Sequence, residues 1–416
     1  LYSWNADQLF LPASNAKLLT TAAALTYLTP QFQRQTPFFA SGQPPALKTL
    51  RVVGQGDPSM DDAKLEQTAA ALQSKGIRTI DTLMGDDTLF QGLPIRPSWA
   101  WEDVQGGDGL PVNSLMLNGN ALTLQLIPQA VGQPLRLQWI SQPPPNWMVQ
   151  NRSKTVPASA PESIAVYRDE NRLVVNGQLQ VGAEPETTDI PVTNPGMAFL
   201  DRFRTLLNAH QIQVNRLALV KAPMPLPQEF RIAAIDFPTL NTLMTEINRN
   251  SNNFYAEALL RLMGSTVANP QGVDTSEQGL GILTRTLTQL GVNPQVYQLV
   301  DGSGLSRKNL VSPRALVQTL QAIARSPNGS LFRESLPLAG ESGTLRRRFR
   351  NTVAQGRLRA KTGTLQGTTA LSGYLDNPTY SPIVFSILVN HSTQSGAVLR
   401  QVADQIVLLI ASLKPC

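Results

Sequence analysis

The stretch LPASNAKLLTTAAAL, Leu11 to Leu25, sets a serine and a lysine three residues apart where a helix begins. Pro12 precedes the pair, and Leu18, Leu19, Ala22, Ala23 and Leu25 follow it in an almost wholly apolar run. Residues three apart share a helix face, so the Ser14 hydroxyl and the Lys17 amine can meet. The run behind them is too apolar for an exposed helix. A buried helix with a lysine in its first turn must give that lysine a partner or a task.

The rest of the chain limits what that task can be. At 416 residues it is long enough for two or three domains, each with its own core. A hydrophobic share of 42% and a charged share of 15% suit a folded globular protein. No apolar run approaches the length of a membrane-spanning helix. The net charge of +6 is mild and scattered. LRRRF, Leu345 to Phe349, is the one dense basic run, and no aromatic platform accompanies it, so no nucleic-acid partner is expected. Cys416 is the only cysteine, which excludes an intrachain disulfide or a cysteine metal site. His210 and His391 are the only histidines, so a Ser-His-Asp triad or a histidine-rich zinc site has almost no raw material. No metal and no cofactor are expected. The chain opens at LYSWNADQLF without an initiator methionine or a signal-like segment, which reads as a mature or trimmed form.

Along the chain, LYSWN and LFLP read as a short strand before the Ser14 helix, and the Pro- and Gly-rich SGQPPALK (Ser41 to Lys48) reads as a boundary. A helix at Ala63 to Lys75 and a strand at Ile77 to Leu83 follow. LTLQLI, LRLQWI, SIAVYRD and NRLVVNGQLQV then form a β-like series, broken by Pro143 to Pro145 and NWMVQNRSKTVPASAPES. APMPLPQEF, Ala222 to Phe230, reads as a second boundary. Beyond it come helices at Thr239–Asn248, Phe254–Met263, Glu277–Leu290 and Pro313–Ala324. Three consecutive strands, GRLRAKTGTL, ALSGYL and SPIVFSILVN, precede a last amphipathic helix from about Gly396. The expected architecture is α+β: one domain split by a β-rich insertion. Its expected limits are 1–45 and 230–416 for the outer domain, 46–90 and 160–229 for the inserted one, and 91–159 for a third nested inside it.

Two further motifs turn the serine–lysine pair into a site. NRNSNNFYAEALL offers Ser251 and Asn253 in a loop between two helices, and AKTGTLQG offers Lys361, Thr362, Gly363 and Thr364 on a strand. Singly these read as well as a helix cap and an edge strand with a glycine kink. Together and in this order they describe acyl transfer by serine without histidine. A lysine kept neutral by burial or a nearby cation can take the serine proton. Ser251 and Asn253 can pass a proton to a leaving amine and bond a substrate amide. Lys361 would repel charge from Lys17 and attract a substrate carboxylate. Gly363 would let an extended substrate lie along the strand. The backbone N–H groups of Ser14 and Thr364 would form an oxyanion hole.

Ser-x-x-Lys, Ser-x-Asn and Lys-Thr-Gly in this order mark the penicillin-recognising enzymes. With PASNAKLLTTAAAL, GDPSM, GDDTLF, DGSGLSRKNLVSP and KTGTLQG, the chain resembles the low-molecular-mass class C penicillin-binding proteins, the D-alanyl-D-alanine carboxypeptidase/endopeptidase family. The long spacer between Ser14 and Ser251 separates that family from compact β-lactamases. The resemblance implies a DD-peptidase/β-lactamase-like domain, an antiparallel sheet flanked by helices, with smaller domains nested in the insertion. It implies hydrolysis of the bond before a terminal D-alanine in peptidoglycan stem peptides, and of cross-links, with β-lactam antibiotics as inhibitors and a cell-envelope location. Ser14 would be the nucleophile and Lys17 its base, with Ser251, Asn253 and Lys361 in the roles given above. Thr362 and Thr364 would bind the terminal carboxylate. Asp103 in WAWED, Arg307 in LSRKN and Gln366 would receive the free end of the diamino acid. Asp108, in GGDGL, stands where relatives often place an aromatic, and Asn252 replaces the aspartate of Ser-Asp-Asn. The competing readings are a β-lactamase, which needs a further carboxylate to clear the acyl-enzyme, and a degenerate homologue that only binds peptidoglycan.

Overall fold

The computed structural model describes residues 2–141, 147–169, 172–220, 228–269, 272–377, 380 and 382–413. The Pro143–Pro145 break, most of the 222–230 boundary and Cys416 lie outside them. A single 3-10 turn, Ala13–Asn15, carries the serine into helix α1 (Ala16–Leu28). Only Thr26 and Tyr27 of that helix are exposed.

Strands β1 (Gln35–Gln43) and β2 (Ala46–Val53), helix α2 (Asp62–Ser74) and strand β3 (Thr79–Asp86) open the insertion. After the short helix α3 (Trp101–Gln105) come β4 (Ala121–Ile127), β5 (Arg136–Trp139), β6 (Met148–Val156), β7 (Ser163–Asp169), β8 (Arg172–Gln180) and β9 (Glu186–Pro191). Helix α4 (Pro195–Ala209) and strands β10 (Gln213–Val220) and β11 (Phe230–Asp236) close it. The chain then runs through α5 (Leu240–Arg249), α6 (Asn253–Gly264) and α7 (Thr275–Gln289). A two-stranded ladder follows, β12 (Tyr297–Gln298) with β13 (Leu310–Val311), then α8 (Pro313–Ala324) and α9 (Gly329–Ser335). Strands β14 (Leu358–Leu365), β15 (Thr368–Leu375) and β16 (Ile383–Val389) precede the final helix α10 (Gly396–Ala411).

β14, β15 and β16 form one antiparallel sheet. Alternate residues of a strand face opposite ways, and both faces here are covered. Tyr374, Val384 and Leu388 join the helical core with Leu18, Leu25, Leu316 and Leu320. Leu371, Leu375, Phe385 and Ile387 join Val407 and Leu408 of α10 on the other side. Helix α1 therefore lies against α5, α6, α7 and α8, at the centre of the larger core. The expected helix-flanked antiparallel sheet is present.

The insertion is built on a five-stranded sheet of order β10-β3-β2-β1-β11, covered by α2 and α4. Phe38 on β1 meets Phe203 on α4 edge-on, with ring centroids 5.8 Å apart. Strand pairing moves the boundaries read from the sequence. The Pro- and Gly-rich stretch at 41–48 is a hairpin connection inside this sheet, and β1 and β11 pair with each other. Residues 35–45 and 230–236 thus belong to the inserted unit. Likewise β7, β8 and β9 pair with β6 and β4 rather than with that sheet. The nested unit is two three-stranded sheets spanning 121–191, with Leu124, Leu126, Leu173, Val175 and Ile190 as a common core. Met148–Val156, which reads as an interruption, is a strand parallel to β8. The amino-terminal strand does not form. Among the described residues before the serine turn, a single bridge joins Phe10 to Val311, and Leu11 donates its N–H to Asn390 Oδ1 at 2.6 Å.

Candidate active site

Ser14 sits on the 3-10 turn, which is fixed by one left-handed residue and by two glycines packed against it. Ala13 has a φ of +47°, a left-handed conformation that costs an L-residue about 1–2 kcal/mol. Gly304 and Gly363 press on it from two sides. A Cβ on Gly304 would collide with the Ala13 carbonyl oxygen, and one on Gly363 would lie 2.9 Å from Pro12 O and 3.1 Å from Ala13 Cβ. The missing side chain of Gly363 therefore makes room for the serine turn, not for a substrate as the motif alone suggests.

Lys17 is fully buried one turn below the serine. Its Nζ lies 2.8 Å from Ser14 Oγ, 2.6 Å from Asn253 Oδ1 and 2.7 Å from Ser303 O. Asn253 Nδ2 donates to Asp108 O at 3.0 Å, which fixes the amide with its oxygen toward the lysine. Burial lowers the Lys17 pKa to about 7, against the opposing pull of Asp301, Glu257 and Asp108. A neutral amine has two N–H donors and one lone pair. The Asn253 and Ser303 oxygens can only accept, so they take both donors and the lone pair is left for the Ser14 O–H. This geometry leaves the Lys17 lone pair facing the Ser14 hydroxyl.

Lys361, also fully buried, donates to Ser251 Oγ at 2.7 Å and Thr362 O at 2.9 Å. Burial first and the Lys17 charge second push its pKa well below the usual lysine range. The repulsion expected to neutralise Lys17 thus falls on Lys361 instead, and burial does the work at Lys17. Ser251 has a φ of +63°, so both serine-bearing turns hold non-glycine residues in the left-handed region beside the chemistry. Asn252 faces away: it accepts the Tyr255 N–H at 3.1 Å as the cap of α6 and donates to Glu246 Oε1 at 3.2 Å.

A cleft of about 800 Å³ opens over these groups, and Asp103, Arg307, Thr362, Gly363, Thr364 and Gln366 line it together with Ser14, Ser251 and Asn253. Every site residue expected from the sequence borders this cleft or, for the two lysines, lies just beneath it. Asp103 and Arg307 are paired with each other at 3.1 Å, and Thr362 Oγ1 donates to Thr344 Oγ1 at 2.8 Å. Asp108 lines the same cleft; desolvation and the Asp103 charge raise its pKa.

From the loop Asp301–Asn309 sequence reasoning took Arg307 but missed Asp301 and Ser303. Asp301 is fully buried, and its carboxylate accepts from Gly304 N (2.8 Å), Ser306 N (2.7 Å), Asn309 Nδ2 (2.8 Å) and Trp99 Nε1 (3.0 Å). Glu257 Oε1 accepts from Gly302 N (2.9 Å) and Ser303 N (2.7 Å). The two carboxylates thereby aim Ser303 O at Lys17. The available signals were Glu257 itself, one turn after Asn253 in a helix whose other residues from Phe254 to Gly264, Arg261 apart, are mostly apolar, and the glycines of DGSGL.

Comparison with known proteins identifies the family of the chain. Residues 1–413 match the family described as D-Ala-D-Ala carboxypeptidase 3 (S13). This chain belongs to that family. It is 31% identical to the D-alanyl-D-alanine carboxypeptidase of Actinomadura sp. (strain R39), over 99% of this chain and 78% of the relative. It is 26% identical to the D-alanyl-D-alanine carboxypeptidase DacB of Haemophilus influenzae, over 93% and 82%. The crystal structure of penicillin binding protein 4 from Haemophilus influenzae superposes with a TM-score of 0.83 at 25% identity, covering 99% of this chain and 94% of that one. The family is one of serine peptidases, and the chain is a serine-type D-Ala-D-Ala carboxypeptidase.

Gly304 is the sharpest test of how the turn is held. Gly304→Ala forces the DGSGL loop away from Ala13, and the rate of Ser14 acylation should fall by about a hundredfold or more, as a misplaced reacting group costs. Stopped-flow or intact-mass time courses with a fluorescent penicillin would measure it.

Proposed function

We propose that Ser14 carries out D,D-peptidase chemistry on peptidoglycan stem peptides through an acyl-enzyme, with Lys17 as its base. The observation that carries this is the buried Lys17 amine, with its two acceptors on one side and Ser14 Oγ at 2.8 Å on the other. The Ser14 proton passes to Lys17 Nζ as Oγ attacks the carbonyl carbon of the penultimate D-alanine. The N–H groups of Ser14 and Thr364 receive the oxyanion, each contributing about 3 kcal/mol. Ser251, bonded to Lys361, gives its proton to the leaving amine nitrogen and takes up the one Lys17 received from Ser14, so the C–N bond breaks, D-alanine departs and Lys17 is neutral again. Lys17 then takes a proton from a water that attacks the ester carbonyl, and passes that proton to Ser14 Oγ as the ester C–O bond breaks and the shortened peptide leaves.

The terminal carboxylate belongs at the Lys361 end of β14, with Thr362 and Thr364. The free end of the diamino acid belongs beside Asp103, Arg307 and Gln366, where a paired carboxylate and guanidinium offer both signs of charge to an amine or a carboxylate. A cross-linked stem presents the same acyl half with a larger leaving amine, so the same site serves as an endopeptidase. Peptidoglycan lies outside the cytoplasmic membrane, which places the protein in the cell envelope. Penicillins, as cyclic acyl donors, acylate Ser14.

Three measurements test this reading. Intact mass after mixing with benzylpenicillin should show a long-lived adduct on the wild type and none on Ser14→Ala. Rapid penicillin consumption without an adduct would give the β-lactamase reading, and neither effect would give the non-catalytic one. The lysine acts as a base only when neutral, so kcat/KM for D-alanine release should rise with pH through an acid limb near the Lys17 value of about 7. A limb at the usual lysine range would remove Lys17 from that role. Asp103→Ala should slow turnover of peptides with a free side-chain amine by about tenfold more than that of their acetylated counterparts. Equal loss on both would sink the pocket assignment.

A further inference from the structure

A second cavity, of about 420 Å³, opens off the cleft beside Ser251. Asp108, Ser251 and Asn253 line both, and Asn253 and Asp108 are bonded to each other in the wall they share. The opposite walls come from the insertion, around Met60, Asn118 and Asp189. The size falls within the range of small-ligand pockets, about 300–1,000 Å³. No step of the acyl transfer uses this space.

Its lining has an apolar part and a polar part. Met60, Leu110, Ala121 and Phe254 border it and are otherwise buried. Asp61 and Asp189 supply acceptors. Asp61 Oδ1 accepts the Lys64 N–H at 2.9 Å, and Asp189 Oδ1 accepts the Thr123 hydroxyl at 2.7 Å. Among the described residues the second oxygen of each carboxylate has no hydrogen-bond partner, so each can accept from a bound N–H. An aliphatic chain that ends in an amide matches both parts, the chain on the apolar surface and the N–H on an acid.

We propose that this cavity receives the side chain of the leaving residue, and so favours a leaving residue with a long aliphatic chain ending in an amide over D-alanine. The proposal rests on the D,D-peptidase reading, which puts the leaving nitrogen at Ser251. The α carbon next to that nitrogen carries two groups. Its carboxylate belongs with Lys361, Thr362 and Thr364, so the other group is directed away from β14. The cavity lies on that side: it borders Ser251, and no residue of β14 lines it. In D-alanine the second group is a methyl, which leaves the space unfilled. In a cross-link through a dicarboxylic diamino acid it is the chain that leads to the other stem. The bond broken and the proton transferred are those of D-alanine release, and only the group on the α carbon differs.

The test uses two synthetic peptides with the same acyl half, one ending in D-Ala-D-Ala and the other in D-Ala followed by Nε-acetyl-D-lysine. Release of the last residue is followed by mass spectrometry. For the wild type, kcat/KM should be about tenfold higher for the acetyl-lysine peptide, as burial of roughly two methylenes returns. Thr123 lies on β4 in the cavity wall. Thr123→Tyr suits a strand and puts a ring into the space, so it should bring the ratio close to one with D-alanine release unchanged. Thr123→Val removes the bond to Asp189 without filling the space and should keep the preference. Thermal melting checks that each variant is folded. Equal wild-type rates on the two peptides, or a ratio undiminished in Thr123→Tyr, would overturn the assignment. Release from neither peptide would instead overturn the D,D-peptidase reading, and the assignment with it.

Discussion

Everything at the active site depends on keeping one amine out of water. Transferring a lysine ammonium into a protein interior is costly, and the molecule answers by burying Lys17 on α1 and letting its pKa fall rather than by pairing it directly with a carboxylate. Of the acids that could have charged it, Asp301 accepts from backbone and side-chain N–H groups around the 302–306 loop and Glu257 Oε1 accepts from two of its backbone N–H groups. They act on Lys17 at one remove, by presenting a neutral carbonyl, Ser303 O. The result is a lysine amine whose pKa lies near neutrality, at a site with no histidine.

That arrangement explains why the site is assembled from segments far apart in sequence. The three oxygens around Lys17 Nζ come from the serine turn, from the start of α6 and from the loop between β12 and β13. Each is held by a different device: strained backbone and facing glycines at Ala13, an amide fixed by Asp108 O at Asn253, and buried carboxylates behind Ser303. Loss of any one leaves a buried donor or acceptor unmatched, so the three segments are mutually dependent.

The chemistry was legible because it needs particular side chains at particular spacings. Ser14 and Lys17, Ser251 and Asn253, and Lys361 to Thr364 announce themselves once read together, and the helices and late strands around them follow from apolar periodicity. The partners of Lys17 that act through the backbone were not legible, since any residue can supply the carbonyl of Ser303. Nor was the role of Gly363, which depends on a turn some 350 residues earlier in the chain. The domain limits failed for a related reason. Prolines and glycines at 41–48 mark a change of direction, and only strand pairing decides whether the chain leaves the sheet there or returns to it. The amino-terminal residues likewise had strand-like composition, but only Phe10 found a partner ladder.

The way the insertion is attached has a consequence for how such enzymes diversify. The chain enters and leaves it on adjacent antiparallel strands, Gln35 opposite Asp236, and just outside them Phe237 donates its N–H to Arg34 O at 2.9 Å. The two attachment points are thus already within the span of a tight turn. Covalently, the whole of 35–236 is a cassette hung from the outer domain by a single stem of paired strands. Yet the cassette brings Asp103 and Asp108 to the rim of the cleft. Asp108 O holds the Asn253 amide that bonds Lys17, and Trp99 Nε1 bonds the Asp301 carboxylate behind Ser303, so a recombination across that stem would exchange the rim of the cleft and two supports of the buried amine together.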